Sequence, residues 1–124
     1  MSDQQNQGRT GEMAARMYLE NKGYRCIGQN VHVGHDELDL IMCDGDVTVF
    51  VEVKLRRFGV SGAEAVNLAK RRRISRAAIV YMAKTGGLDR STRFDVVEIG
   101  FDGTDMRIHH IANAFALERG RYFV

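Results

Sequence analysis

The stretch that decides the fold is ELDLIMCDGDVTVFVEVKL, residues 37–55, in which a turn signal separates two strand patterns. Both halves are apolar and of strand length, and the Asp44-Gly45 pair between them is typical of a short β-hairpin loop. The second half is too apolar for an edge strand, since Val49 and Phe50 stand where a solvated face would carry polar residues. The sequence therefore predicts a hairpin whose second strand lies inside a sheet.

The hairpin places charged residues on one strand face. A two-residue loop at Asp44-Gly45 puts Asp39 opposite Phe50, whereas a four-residue loop would put Asp39 opposite Glu52. Because strand side chains alternate, the same face carries four charged residues in both registers: Glu37, Asp39, Glu52 and Lys54. Carboxylates facing each other across strands destabilise a sheet, and a divalent cation would offset that cost. The alternative is a solvated face, on which a Glu-Lys pair is worth less than about 1 kcal/mol.

Length and composition predict one small domain. With 124 residues, of which 44% are hydrophobic, the chain is long enough for one core and too short for two. We therefore expect residues 1–124 to form a single domain, with a flexible N-terminus over about residues 1–8. Cys26 and Cys43 lack the short spacing of a zinc or redox site and are expected to be reduced. Without a signal-like or membrane-spanning apolar segment, the sequence predicts a cytoplasmic protein that does not associate with membranes.

Glycines and Asp-Gly pairs divide this proline-free chain into an expected order of αβββαββ. The hairpin lies between a short strand and a second helix, and a polar loop through His32, Gly34 and His35 is expected before it. The other predicted elements are helices at about 8–22 and 63–84 and strands at about 24–29, 93–99 and 106–111. Residues 113–124 have no pattern that assigns them to an element.

The charges are segregated along the chain, although the net formal charge of +2 is too small to indicate a nucleic-acid partner by itself. Every charged residue from 36 to 52 is acidic, and between 54 and 76 the only acid is Glu64. A charge run is often just a solvated face, but this one follows the carboxylate cluster, so we favour phosphate binding without base readout. The candidate residues are Arg56, Arg57, Lys70, Arg71, Arg72, Arg73 and Arg76.

Two sets of motifs resemble known protein families. Asp39 on one strand, followed by Glu52-Val53-Lys54 on its hairpin partner, resembles the PD-(D/E)XK nuclease superfamily. Over about residues 8–115, the chain also resembles the YraN-like family of small bacterial proteins, which is uncharacterised and is considered nuclease-like by similarity to Holliday-junction resolvases. The segments that carry this second resemblance are GRTGEMAARMYLENKGY, ELDLIMCDGDVTVFVEVKLRR, RFDVVEI and HIANAF.

The resemblance implies a fold and a set of roles. The fold is α/β and restriction-endonuclease-like, with an αβββαβ core and a mixed central sheet flanked by helices. Asp39 and Glu52 are expected to bind Mg²⁺ or Mn²⁺ together with the Val53 carbonyl, and Lys54 is expected to orient or activate the attacking water. Glu12 matches a carboxylate that resolvase-like members add, although an acid early in a helix also suits the helix dipole. Glu37 remains an accessory candidate.

These features predict a metal-dependent endonuclease-like protein that hydrolyses phosphodiester bonds in nucleic acid. Such a reaction builds negative charge on phosphoryl oxygens, which a divalent cation on oxygen ligands and a nearby ammonium would stabilise. Similarity to resolvases suggests branched DNA as the substrate and a homodimer as the active form. The alternative is a non-catalytic nucleic-acid-binding or assembly module that retains the fold. His109 and His110 are adjacent in a strand and face opposite sides, so we expect surface and packing roles for them.

Overall fold

The computed structural model of the protein describes residues 3–57 and 67–117, with side chains described over 9–56 and 67–117. These residues follow the predicted order αβββαββ. The elements are α1 Asp3–Asn21, β1 Arg25–Val33, β2 Asp36–Asp44, β3 Val47–Arg57, α2 Leu68–Thr85, β4 Thr92–Asp102 and β5 Asp105–Phe115. The predicted fold class, α/β with a mixed central sheet flanked by helices, is confirmed.

The strands form one sheet in the order β1-β2-β3-β4-β5. The β3–β4 pair is parallel and the other three pairs are antiparallel. Parallel neighbours need a crossover connection, and α2 lies in the connection between β3 and β4. The strand that the sequence marked as internal is therefore the central strand of the sheet.

Each face of the sheet carries a hydrophobic core. Phe50 of β3 belongs to the core beneath α2, where its ring stacks on Phe94 with the centroids 5.7 Å apart. Val49 and Val51 belong to the opposite core, together with Leu19 of α1. Because both faces of β3 are covered, the strand can be apolar at nearly every position, as its sequence is.

The hairpin turn lies one residue further along the chain than predicted. Asp44 pairs with Val47, which leaves Gly45 and Asp46 as the turn. Gly45 has a φ of 60°, a left-handed conformation that glycine adopts without steric cost. The predicted loop at Asp44-Gly45 is therefore wrong. The observed register, if continued, brings Asp39 beside Glu52, as the longer-loop alternative predicted.

Several other boundaries differ from the predictions. The helix α1 begins at Asp3 and includes most of the segment expected to be flexible, while residues 1–2 lie outside the described part of the chain. The strand β1 continues through His32, which was expected in a loop, because that residue pairs with Glu37 of β2. The helix α2 begins after Asn67, whose side chain accepts a hydrogen bond from the Lys70 backbone N–H at 2.9 Å. The predicted helical residues 63–66 lie outside the described residues.

The strand β5 extends to Phe115, so the first residues of the unassigned 113–124 segment are strand. Residues 118–124 lie outside the described part of the chain. Neither helix described here is long and apolar enough to cross a bilayer.

Candidate active site

Asp39 lies where the β2–β3 ladder ends. The paired residues of that ladder run from Asp44–Val47 to Leu40–Val51. Beyond the last pair, the backbone N–H of Val53 donates a hydrogen bond to Oδ2 of Asp39 at 2.9 Å. A side-chain acceptor thus satisfies the strand's backbone donor and holds the Asp39 carboxylate against β3.

The charges of other carboxylates act on Asp39. Burial and then the charges of Glu52 and Glu12 together raise its pKa to about 7, while the Val53 hydrogen bond and the Lys70 charge act to lower it. The structure therefore brings Asp39 and Glu52 together, and Glu12 of α1 lies near enough for its charge to act on Asp39.

The side-chain ammonium of Lys70, on α2, forms an ion pair with Glu52. Nζ of Lys70 is 2.5 Å from Oε1 of Glu52, and the Glu52 side chain is only 7% exposed. The sequence placed Lys70 on a phosphate-binding face and left the carboxylates to be offset by a metal. The structure instead places Lys70 within the carboxylate cluster, where its charge already supplies part of that offset.

Lys54 lies next to this pair, on the same face of β3 as Glu52. Burial lowers the pKa of Lys54, and a hydrogen bond and charge repulsion from Lys70 lower it further, while Glu52 opposes the shift. Burial also acts to lower the pKa of Lys70, but contacts with Glu52, Lys54 and Asp39 leave that pKa raised. Of the two lysines, Lys54 is therefore the one whose environment favours the neutral amine, which is the form that can take a proton from water.

The donors at the site fit a hard divalent cation that uses few protein ligands. Mg²⁺ commonly binds through one or two carboxylates and keeps several waters, and Asp39 and Glu52 supply that number. Over residues 3–57 and 67–117, no group of three or more His, Cys, Asp or Glu side chains is arranged to hold a metal ion. Asp39 and Glu52 are thus the two carboxylates that could hold such an ion. The Val53 carbonyl stays a predicted ligand, since the contact described for Val53 is made by its N–H.

Glu37, the accessory candidate, turns away from this cluster. Its Oε2 lies 3.7 Å from Nε2 of His32 on β1, and both side chains are exposed. The strands β1 and β3 are the two neighbours of β2 in the sheet. Glu37 therefore contacts the β1 neighbour, whereas Glu52 lies on the β3 neighbour.

The predicted phosphate-binding surface is interrupted by ion pairs. Nε of Arg56 lies 3.6 Å from Oε2 of Glu98, and Nη2 of Arg76 lies 2.9 Å from Oδ2 of Asp36. Arg71 is half-buried, and the side chain of Arg57 lies outside the described residues. Arg72 and Arg73 of α2 are both exposed, and their spacing from Lys70 makes them project from different sides of the helix.

A buried network that the sequence did not reveal lies on β4 and β5. Asp95 has no exposed surface and accepts hydrogen bonds from Nε of Arg93 at 2.8 Å and from the Asn113 N–H at 2.9 Å. Nε2 of His110 lies 2.7 Å from Oδ2 of Asp95, and its side chain is 4% exposed. The predicted packing role of His110 is thus realised inside the fold. The network spans the β4–β5 register shift between Phe94 and Val96.

Asp39→Asn is expected to stabilise the metal-free protein by about 2 to 4 kcal/mol at pH 8 and to change little at pH 4. The pKa of Asp39 is raised from 3.8 to about 7. Wild type therefore loses stability as the pH rises across that interval, whereas the amide does not titrate. The asparagine oxygen still accepts the Val53 hydrogen bond.

Urea unfolding in EDTA at pH 4, 6 and 8 measures the Asp39 difference, with Asp46→Asn in the exposed turn of the same hairpin as the matched control. A difference between Asp39→Asn and wild type that is the same at every pH would show that Asp39 titrates as an ordinary surface carboxylate.

The sequence model of Uncharacterised protein family UPF0102 matches residues 11–99. A UPF0102 protein of Symbiobacterium thermophilum is 49% identical over 113 residues, which cover 87% of this chain and 94% of that protein. A UPF0102 protein of Geobacter metallireducens is 43% identical, with 89% and 92% covered. Among solved structures, Pyrococcus furiosus SfsA in complex with Ca²⁺ is similar with a TM-score of 0.42 and 15% identity. This likeness covers 89% of this chain and 64% of the SfsA chain.

Proposed function

The chain belongs to Uncharacterised protein family UPF0102, the YraN-like family, and we propose that it is a metal-dependent nuclease that hydrolyses phosphodiester bonds. The observation that carries the proposal is the position of the Asp39 carboxylate, which the Val53 N–H holds against β3 beside Glu52 and Lys54. Asp39 followed by Glu52-Val53-Lys54 is also the motif of the PD-(D/E)XK superfamily, to which the proposal assigns the protein.

The proposed reaction adds water to the phosphorus of a phosphodiester, breaks one P–O bond and returns a proton to the departing oxygen. Mg²⁺ or Mn²⁺ at the site would supply positive charge to the phosphoryl oxygens and acidify a bound water. Asp39 and Glu52 are the residues that would hold the ion. Lys54, whose pKa is lowered, orients the attacking water and accepts its proton. Glu12 adds a further carboxylate acceptor for water at the edge of the site.

The proposed substrate is nucleic acid, with branched DNA as the form suggested by similarity to resolvases. Arg72 and Arg73 are exposed on α2, whose first turn brings Lys70 to Glu52, and in the proposal their guanidinium groups contact the phosphate backbone of the bound nucleic acid. Cutting paired strands would suit a homodimer, and DNA as the substrate would suit a cytoplasmic location. Both belong to the proposal.

One observation favours a second function. The Lys70–Glu52 contact neutralises part of the cluster from within, as it would in a nucleic-acid-binding or assembly module that does not cut. Incubation with linear, flapped, single-stranded and four-way-junction DNA separates the two functions when Mg²⁺, Mn²⁺ or EDTA is added. Metal-dependent cleavage supports the nuclease. Binding without cleavage under every condition supports the module.

Replacing both Arg72 and Arg73 with Ala is expected to weaken DNA binding equally for unrelated sequences. If each guanidinium contacts one phosphate of B-form DNA, the slope of log K against log salt should become shallower by about 1.8. Fluorescence anisotropy at several salt concentrations in EDTA measures both effects without cleavage.

Arg90→Ala with Arg107→Ala removes the same charge from exposed positions in the loop after α2 and on β5, and serves as the control. Equal slopes for the two double variants would place the phosphate contacts elsewhere.

A further inference from the structure

Lys70 occupies the position from which a cation would bind Glu52. Its Nζ lies 2.5 Å from Oε1 of Glu52, which is the shortest ion-pair distance among the described residues. The contact is built into the fold, because the Asn67 cap fixes the first turn of α2 and Lys70 lies in that turn. Glu52 itself lies on the central strand and is nearly buried.

The burial of Glu52 explains why a counter-ion is needed there. A carboxylate removed from water is costly unless a positive charge or hydrogen-bond donors face it. Asp39 adds a second acid beside it, and the charges of both acids act on Lys70. In the absence of a metal, the Lys70 ammonium is therefore the group that compensates the buried Glu52 carboxylate through a direct ion pair.

The same contact sets a condition on metal binding. An ammonium and a divalent ion repel each other strongly at ligand distance, so both cannot sit on one carboxylate oxygen. Lys70 has a flexible stem and its side chain is 33% exposed, which gives the ammonium a path back to solvent. Lys54 lies alongside and would be relieved of a neighbouring charge if Lys70 withdrew.

We propose that Lys70 is a displaceable counter-ion of Glu52, which holds that carboxylate until a divalent cation takes its place. The inference rests on the proposed metal site and adds a competing residue from α2 that the strand motif does not contain. Lys70 thereby lowers the metal affinity, since its charge opposes a divalent ion on Glu52 and its ion pair with Oε1 is lost when the ion takes that oxygen.

Calorimetric titration of the full-length protein with Mn²⁺ tests the proposal in wild type, Lys70→Met and Lys84→Met. Lys70→Met is expected to bind Mn²⁺ about tenfold more tightly than wild type, because the competitor is removed. Lys84→Met makes the same change at an exposed position in the last turn of α2 and should match wild type. Without metal, Lys70→Met should melt at a lower temperature, and saturating Mn²⁺ should raise its melting temperature more than that of wild type.

Lys70→Arg guards against a variant that does not fold. It retains the charge and gains a planar fork for Glu52, so it should bind Mn²⁺ more weakly than wild type. Equal Mn²⁺ affinity in wild type, Lys70→Met and Lys70→Arg would overturn the competition while leaving the metal site standing. Weaker binding by Lys70→Met would also overturn it, because Lys70 would then assist the metal.

The remaining outcomes separate this inference from the proposed function. Binding by Lys70→Met but not by wild type would support the counter-ion and overturn the metal-dependent nuclease for the natural chain. No Mn²⁺ binding by any of these proteins would overturn both, and would make Lys70–Glu52 a purely structural ion pair.

Discussion

Lys54→Met is expected to lower metal-dependent DNA cleavage by about 10²- to 10⁴-fold, the range typical for loss of a group that transfers protons. Its ammonium lies beside Glu52 in an environment that lowers its pKa, through burial first and then through Lys70. Methionine retains much of the side-chain volume and removes the charge and the proton-transfer group. The two carboxylates remain, so Mn²⁺ affinity should be unchanged or tighter.

Single-turnover cleavage at saturating Mn²⁺ measures the effect of Lys54→Met on the chemical step, and calorimetry measures metal binding. Lys84→Met supplies the matched control, since it removes an exposed lysine from the end of α2. Cleavage by Lys54→Met at the wild-type rate would remove Lys54 from the mechanism. A parallel loss of Mn²⁺ affinity would instead indicate that the substitution disturbs the carboxylates.

The part of the site that the sequence predicts best is the part encoded locally. Asp39, Glu52 and Lys54 belong to one hairpin, and strand alternation determines which of their neighbours share a face. The turn itself was misplaced because Asp44-Gly45 and Gly45-Asp46 are both acceptable turn pairs, and only the observed pairing of Asp44 with Val47 separates them. The apolar character of β3 predicted its central position because burial on both faces leaves a continuous apolar pattern.

The contacts that the sequence did not predict depend on distances between elements. Lys70 reaches Glu52 because α2 begins at a particular residue beside β3, and no periodic pattern specifies that separation. The same holds for Arg76, which pairs with Asp36 across 40 residues of sequence. A run of basic residues indicates positive charge but not which of its members the folded protein pairs with acids, so the phosphate-binding surface stays a prediction.

The network around Asp95 also depends on contacts between elements that no sequence pattern specifies. It leads to the largest change in stability that we expect. Asp95→Ala is expected to destabilise the protein by about 3 to 5 kcal/mol, the usual cost of removing one member of a buried charged pair. The carboxylate is fully buried and faces Arg93 through both of its oxygens, at 2.8 and 3.0 Å. Its removal leaves the guanidinium, the Asn113 N–H and His110 without their common partner.

The contribution of Asp95 to folding stability should change with pH in the opposite direction to the contribution of Asp39. Burial acts to raise the pKa of Asp95, but hydrogen bonds from Arg93, Asn113 and His110 leave that pKa below 3.8. The stability from Asp95 is therefore fully present above about pH 4 and is lost as the pH falls through the lower pKa of the folded state.

Urea unfolding of wild type and Asp95→Ala between pH 3 and pH 8 tests both the size and the pH dependence. Asp102→Asn, at the exposed end of the same strand, should differ from wild type by less than about 0.5 kcal/mol. Asp95→Asn keeps a hydrogen-bond acceptor without the charge, and its loss should lie between those of Asp95→Ala and Asp102→Asn. A loss below about 1 kcal/mol for Asp95→Ala would mean that the Arg93 pair contributes no more than an exposed one.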